Sequence, residues 1–389
     1  MKLPIYLDYH ATTPVDPRVL EAMLPYYTEN FGNPASRNHK FGWTAATAVE
    51  NARKQVAKLI NATAKEVVFT SCASESDNLA IKGAAHRNHE GRDHIVTLAT
   101  EHKAVLDSAQ RLGREGFRVT LARPRPDGLV DLDGLRAAIT DKTLLVSIMA
   151  ANNEIGVLQP LAEIGRLCRA HGALFHTDAA QATGKIPLDV EAMQIDLLSI
   201  AGHKMYAPKG VGALYVRRRG MPVELAPIMD GGGHEGGLRS GTLNVPGIVG
   251  LGKACEICRQ EMPEESRRLS ALRDRLKDGL LADLEGIHIN GSLEHRLPNN
   301  LNVSFPGLDL AILLAALNDL ALSSGSACNS GTPEPSYVLQ ALGVSDEVAS
   351  TPIRFGLGRF TTDEEIDFCL ARVVETVQRL REIAGTAAA

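Results

Sequence analysis

Apolar positions along this chain fall into two textures. Between residues 66 and 216, short runs that are apolar nearly throughout recur at Glu66–Thr70, His94–Ala99, Phe117–Ala122, Leu144–Ala150, Ala173–Asp178, Leu197–Ile200 and Gly212–Val216. Between several of them the apolar positions recur at three and four residues, as in Leu161–Ala170, the spacing of one helix face. Continuous apolar strands joined by helices predict a mainly parallel sheet covered on both faces. Such a sheet places ligands beyond the carboxyl ends of its strands, so chemistry is sought there. After about Pro246 the texture changes. A long charged amphipathic stretch, Gly247–Leu284, leads to strand candidates at Gly286–Gly291 and Asn300–Phe305 and a helix at Leu308–Asn318. A Gly/Ser-rich loop at Ser323–Pro335, a strand near Ile353–Phe360 and a last helix over Asp363–Ile383 follow, with an Ala-rich tail expected to fray. The expectation is an α/β domain joined through a long helix to a smaller α+β domain.

Composition narrows the class. The 389 residues carry Lys+Arg 41 against Asp+Glu 46, a net charge of −5, with 44% hydrophobic and 22% charged residues. That is ordinary globular usage, without the basic excess of a nucleic-acid or anionic-membrane binder. The first residues lack an apolar signal core, and apolar runs such as Leu310–Leu317 are too short for a membrane span. Cys 6 in this length is too sparse for a disulfide scaffold, so a cytoplasmic, reducing location is expected.

Several predicted strands end on chemically useful residues. Leu197–Ile200 runs through Ala201 and Gly202 to His203-Lys204, ahead of the turn Pro208-Lys209-Gly210. A lysine fixed at a strand end and partly desolvated can form a Schiff base with a carbonyl, although most lysines are only solvated surface groups. Ala173–Asp178 delivers Asp178, with Gln181 just beyond. A carboxylate at the end of a buried strand needs a partner, either an arginine, a helix cap or a ligand cation. Leu144–Ala150 leads to Asn152-Asn153-Glu154, and His94–Ala99 to Thr100-Glu101-His102, whose imidazole could stack on a flat ligand or be a satisfied structural histidine. Glu66–Thr70 runs into Ser71-Cys72-Ala73-Ser74 at a helix start, which suits phosphate or a plain Ser cap with Asp77 beyond it. No nucleotide-binding glycine loop is present. A second glycine-rich stretch, Gly231–Gly237, ends in Arg239-Ser240-Gly241-Thr242.

The cysteines differ by context. Cys168, Cys255, Cys258 and Cys369 lie in helical patterns, where inert buried thiols are the rule, and Cys255-x-x-Cys258 lacks the second pair of a zinc site. Cys72 reads as a small filler. Cys328 lies in Ser323-Ser324-Gly325-Ser326-Ala327-Cys328, among residues too small to bury it, which suggests a nucleophile.

In order along the chain, Tyr6-Leu7-Asp8, Ala11-Thr12-Thr13-Pro14, Phe31-Gly32-Asn33-Pro34, Thr100-Glu101-His102, Asn152-Asn153-Glu154, His176-Thr177-Asp178, Gly202-His203-Lys204, Arg239–Thr242 and Ser323–Cys328 resemble the cysteine desulfurases. These are pyridoxal phosphate (PLP) enzymes of fold type I, the aminotransferase-like fold. The long Cys328 loop is similar to that of the family's first group, which serves general iron–sulfur assembly and nitrogenase maturation.

The resemblance implies a seven-stranded, mainly parallel sheet in a large domain, 14–258, and a small domain of 1–13 with 259–389 carrying the cysteine loop, about 323–335. It implies PLP covalently held by Lys204, which also moves the substrate Cα proton. Asp178 would pair with the ring nitrogen, His102 would stack on the ring and transfer protons, and Gln181 and Asn153 would lie near the phenolic oxygen. Ala73, Ser74 and His203, with the backbone at Ala201 and Gly202, would take the phosphate, and Thr242 would reach it from the partner of a homodimer. Arg354, Asn153 and Asn33 would bind the L-cysteine substrate. Cys328 would accept its sulfur as a persulfide, pass it to an iron–sulfur scaffold or another acceptor, and in that state could transiently ligate a cluster. Ala201 and Gly202 stand where the family often has serine, and Ser71-Cys72-Ala73-Ser74 where its housekeeping branch has Ser-Gly-Ala-Thr. The nitrogenase-dedicated branch is therefore one alternative. Others are a PLP lyase or aminotransferase for another amino acid, which would not need Cys328, and a non-catalytic scaffold on the same fold.

Overall fold

A computed structural model describes residues 2–87, 91–324 and 335–385. A short strand β1 (Ile5–Tyr6) opens the described chain. The central sheet takes the next seven strands, β2 (Val67–Thr70), β3 (His94–Leu98), β4 (Arg118–Ala122), β5 (Thr143–Ser147), β6 (Leu174–Asp178), β7 (Leu197–Ala201) and β8 (Gly212–Val216). Every residue of β2, β3, β5, β7 and β8 is buried, because helices cover both faces of the sheet. That explains the unbroken apolar runs. The edge strand β4 has no fully buried position: Arg118 and Leu121 are exposed and Val119, Thr120 and Ala122 half-buried.

The strands lie in the order β2-β8-β7-β6-β5-β3-β4. Pairings from β4 through β7 are parallel, and β8 is antiparallel to both of its neighbours. Strand β8 alone therefore runs against the rest, and the carboxyl ends of β2, β3, β5, β6 and β7 share one edge. The chain leaves β3 to one side for β4 and returns on the other side at β5. This reversal opens a crevice between their carboxyl ends.

Three further strands, β9 (His288–Ile289), β10 (Asn300–Ser304) and β12 (Pro352–Gly356), form an antiparallel sheet, while β11 (Leu320–Ala321) pairs with β1. The helix Val245–Asp283 bridges two cores. Its residues Val245–Cys258 pack with the central sheet. Leu269, Leu272, Leu276 and Leu280 pack instead with Leu301, Val303, Ile353 and Phe355, where Ile5 and Leu7 also lie. The helix Asp363–Ile383 closes this second core and starts at a capping box, Thr362 with Glu365. From β1 the chain crosses back to the first core, with Tyr9 N–H on Gly356 O (3.2 Å) and Thr13 N–H on His203 O (2.9 Å). Residues 8–13 thus join the two cores at the crevice.

Candidate active site

The shared strand edge opens into a cleft of about 360 Å³. Lys204 reaches it just beyond β7, Asp178 from the end of β6, Asn153 beyond β5, His102 beyond β3, and Ala73 and Ser74 beyond β2. Gln181, Ala201, His203 and Arg354 line it as well.

Lys204 is half-buried, and its Nζ donates to Ala11 O (2.8 Å) and His10 O, so the crossing segment holds the amine. Tyr206, two residues on, adopts a left-handed φ of 65°. Thr13 Oγ1 accepts its N–H (2.9 Å) and the Arg359 guanidinium sits 4.2 Å from its ring centre. These contacts hold a left-handed turn that a residue with a Cβ rarely adopts, and with it the chain just past Lys204. Lys209 is exposed.

Asp178 is 6% exposed and accepts Ala180 N–H at 2.8 Å. Burial raises its carboxyl, against the opposing charges of His102 and Lys204. Beneath it lies Asp77, which no sequence argument singled out as more than a helix-start residue. Both its oxygens are buried without a hydrogen bond among the described residues, and His176 Nε2 stands 3.6 Å from Oδ1. Burial and the charge of Asp178 push Asp77 well above the usual carboxylate range.

His102 caps the helix Lys103–Arg114, with Nδ1 accepting Ala104 N–H (3.2 Å). With Nδ1 accepting there, Nε2 is the ring nitrogen left to donate. Asn152 is structural. Its Oδ1 accepts from Glu154 and Ile155 N–H (2.8 and 3.0 Å), shaping the turn that exposes Asn153. Asn153 Oδ1 is buried with no donor among the described residues. Arg354, fully enclosed, spends Nη2 on Asp8 (2.8 Å) and Nη1 on Asn153 O (2.7 Å), while its buried Nε has no acceptor among the described residues. Two of five guanidinium hydrogens are thus committed, and Nε–H with the second hydrogens of Nη1 and Nη2 remain. On the opposite wall the helix Ala73–Arg87 begins. Its Ser76 N–H returns to Cys72 O (3.1 Å), and the amides before it are the ordinary orphans of a helix start. His203, its Nδ1 3.1 Å from Thr12 Oγ1, is lowered to about 4 by burial and the Lys204 charge, and is neutral at pH 7.

Other expected residues lie elsewhere. Gly202 is buried behind the cleft, where a Cβ would meet Val211 O at 2.8 Å. Asn33 is exposed, its Oδ1 accepting Ala35 N–H (2.9 Å), and Thr242 is exposed on the glycine-rich arm. Neither borders the cleft within this chain. Cys328 lies outside the described residues, but its flanks do not: Arg354 N–H donates to Ser323 O (2.7 Å), Ser336 Oγ to Glu154 Oε2 (2.5 Å), and Tyr337 OH to Glu101 O (2.7 Å). Both ends of that segment therefore rest beside the cleft.

A pH effect follows from the floor of the site. His176 is fully buried between Ser147 Oγ (2.8 Å) and Ser199 Oγ (3.1 Å), and burial lowers it to about 3. Its folded value lies below the ordinary 6.5, so the unfolded chain binds the extra proton between these values. His176 stabilises the fold above pH 6.5 and loses that contribution as pH falls toward 3, at up to about 1.4 kcal/mol per pH unit. His176→Asn should show a shallower decline in unfolding free energy from pH 6.5 to 4 in urea titrations, whatever its stability at pH 7. Parallel curves would refute the assignment.

The sequence pattern of the Aminotransferase class-V family matches residues 5–368. A protein named Cysteine desulfurase IscS from Anaeromyxobacter dehalogenans is 60% identical over 383 residues, 98% of this chain and 95% of that protein. The chain belongs to the cysteine desulfurases of the class-V aminotransferase family. Among solved structures, a NifS-like protein superposes with a TM-score of 0.90 at 40% identity, covering 97% of this chain and 100% of its own. A second, SspA in complex with cysteine, gives 0.81 at 39% identity over 92% of this chain and 100% of its own. As in the family, the fold is α/β of fold type I, and the cofactor is PLP. In this desulfurase, Cys168, Cys255, Cys258 and Cys369 are buried, and burial raises each thiol, Cys258 to about 11. Cys72 is half-buried and lines the cleft. Among the described cysteines it is the one with access to a ligand.

Proposed function

We propose that this cysteine desulfurase releases sulfur from L-cysteine through Lys204, His102 and Cys328, for transfer to iron–sulfur assembly. The observation that carries the reading is one cleft holding a strand-end lysine, a buried Asp178, a helix start, and two buried polar atoms without partners among the described residues, Asn153 Oδ1 and Arg354 Nε. These groups fit PLP and an amino acid together. The helix start at Ala73 and Ser74 suits a phosphate, Asp178 a ring N–H, the flat His102 a ring face, and Lys204 a carbonyl carbon. When bound, PLP draws electrons from the substrate Cα, which makes its proton removable.

The chain's own groups do the rest. Remaining donors of Arg354, with Asn153, orient the substrate carboxylate. The Lys204 amine, displaced by the substrate's amine, takes the Cα proton. The Cys328 thiolate attacks the substrate sulfur: an S–S bond forms as the Cβ–S bond breaks, the carbon fragment keeps the electron pair, and proton return completes L-alanine. In this reading His102 Nε2 would hold or pass a proton during the reaction. Cys328 stands four residues past Ser324, so the chain spans at most about 14 Å between them, a reach that supports delivery at the cleft. Residues 14–258 form the PLP-binding domain in this reading, and 1–13 with 259–389 the small domain, in line with the change of core along the helix Val245–Asp283.

We assign a homodimer. Phe31, Phe41 and Trp43 are 63%, 50% and 56% exposed, with the Phe31 and Phe41 rings 5.3 Å apart, and Thr242 lies outside its own cleft. A second copy would cover this face and bring Thr242 to its neighbour's phosphate. No described helix is long and apolar enough to cross a membrane, and the free thiols fit the cytoplasm. Phe41→Asp should shift sedimentation toward monomer and lower PLP retention about tenfold. A fully loaded, active monomeric wild type would rule out the shared site. The activity itself is tested by supplying single amino acids to the loaded protein: L-alanine from L-cysteine is expected, and turnover of another amino acid without Cys328 would favour a lyase or aminotransferase.

A further inference from the structure

Thr242 stands at the end of a glycine-rich arm, Gly231–Gly241, and so much glycine gives a chain no preferred direction of its own. The contacts at the root of the arm supply one. Strand β2 is the outermost strand beside β8, so one side of its backbone has no strand partner. Two side chains take that place. Arg53 Nη1 donates to Val67 O (2.7 Å), and Glu235, from the arm, accepts Phe69 N–H (2.7 Å). The two also join in a forked pair, Arg53 Nη1 and Nη2 donating to Glu235 Oε2 and Oε1, both at 2.7 Å. The guanidinium sits 4.6 Å from the centre of the Phe69 ring. The Glu235 side chain is 2% exposed, although Gly236 and Gly237 beside it face solvent. Its backbone holds a left-handed φ of 51°, which a residue with a Cβ keeps only where its surroundings impose it.

From that stake the arm closes on itself. Gly241 N–H donates to His234 Nδ1 (3.2 Å), Gly233 N–H to Ser240 Oγ (3.3 Å) and Leu238 N–H to Glu235 O (3.3 Å). Arg239 adds a second stake. Its Nε donates to Glu75 Oε1 (2.8 Å), while Glu75 Oε2 accepts Ser71 N–H (2.7 Å) in the first turn of the helix Ala73–Arg87. Residues 233–241 are thus one unit, pinned at two points to β2 and to the helix that β2 feeds. Thr242 leaves that unit directly, exposed and outside the lining of its own cleft.

We propose that Glu235 is a positioning residue: paired with Arg53, and seconded by Arg239 on Glu75, it aims the arm so that Thr242 meets the phosphate of the partner's PLP. The inference rests on the homodimer and cofactor reading above. It adds that the stake in one subunit governs the grip on the other subunit's cofactor, because the pinned unit and the site it serves belong to different chains. Loosening the stake forfeits the Thr242 contact, a hydrogen bond to a charged group.

The test is the rate of PLP loss, followed by the visible absorption of loaded dimers diluted into a PLP scavenger. Glu235→Ala should lose PLP about tenfold faster than wild type, the effect of one hydrogen bond to a charged group. Thr242→Ala should match it, and the double variant should go no faster, since both remove one contact. Glu235→Gln, which keeps an oxygen for Phe69 N–H, should fall between. Mixed dimers, purified through two tags, separate aiming from support of the fold. In each, one subunit carries Lys204→Ala, so the absorption reports the other subunit alone. With Glu235→Ala on the Lys204→Ala subunit, the reporting subunit should lose PLP about tenfold faster. With Glu235→Ala on the reporting subunit itself, the rate should equal that of the mixed dimer with Glu235 intact in both. The reverse pattern, equal rates in the two arrangements, or losses that add with Thr242→Ala would overturn the inference. A wild type that sediments as a loaded monomer would overturn the dimer reading, and this inference with it.

Discussion

Lys204→Ala is expected to abolish the visible absorption of the PLP-loaded protein and to cut L-alanine formation from L-cysteine by about 10⁴-fold or more, since one side chain supplies both the covalent link and the proton transfer. The structure separates it from the lysine five positions on. Lys204 is half-buried in the cleft, its amine held by Ala11 O at 2.8 Å, whereas Lys209 is exposed past the turn. Lys209→Ala should keep both the band and the rate. Borohydride reduction followed by peptide mapping checks the assignment independently: a reduced adduct on Lys209, or a band that survives Lys204→Ala, would refute it.

Cys328→Ser is expected to divide binding from sulfur transfer. Its neighbours in sequence are Gly, Ser, Ala and Asn, and a thiol-to-hydroxyl change among them is expected to move the unfolding free energy by no more than about 0.5 kcal/mol. PLP retention and the spectral response to L-cysteine depend on Lys204, Asp178 and the helix start, and should persist. Alanine release should fall at least about 10³-fold, because a serine hydroxyl is scarcely ionised near neutral pH while a thiol has a usable thiolate fraction. A variant with an intact spectrum and no alanine is the expected pair of results.

The strand-end residues were legible because a buried parallel sheet leaves long apolar runs, and each run points to the residue that follows it. Lys204, Asp178, Asn153, His102 and Ser74 were read in that way, and the structure brings them to one cleft. Boundaries such as Asp363–Ile383 were legible for a similar reason, the capping box at Thr362 and Glu365. What lay outside the pattern was set by long-range packing. Asp77 reads as a helix-start residue, and only the sheet beneath it turns its carboxyl into a buried neighbour of Asp178. His10 sits in a segment with no helical or strand period, and its contacts with Gln181, far along the chain, and with Gly356 of β12 are set by the fold. The short helices Tyr337–Ala341 and Asp346–Ala349 passed unread because each is too brief to show a period. Arg354 was expected to bind the substrate, but its pairing with Asp8 and Asn153 O, which leaves three hydrogens for a substrate, depends on where residues 8–13 cross the crevice.

The central claim is that sulfur leaves L-cysteine for Cys328. Mass spectrometry of the PLP-loaded wild type after a brief incubation with L-cysteine, digested without reductant, tests it most directly. The account predicts one added sulfur on the peptide containing Cys328, none on the peptides of the buried cysteines, and none on that position in Cys328→Ser. Added sulfur on Cys72 or Cys258 instead, or alanine release by Cys328→Ser at the wild-type rate, would contradict it.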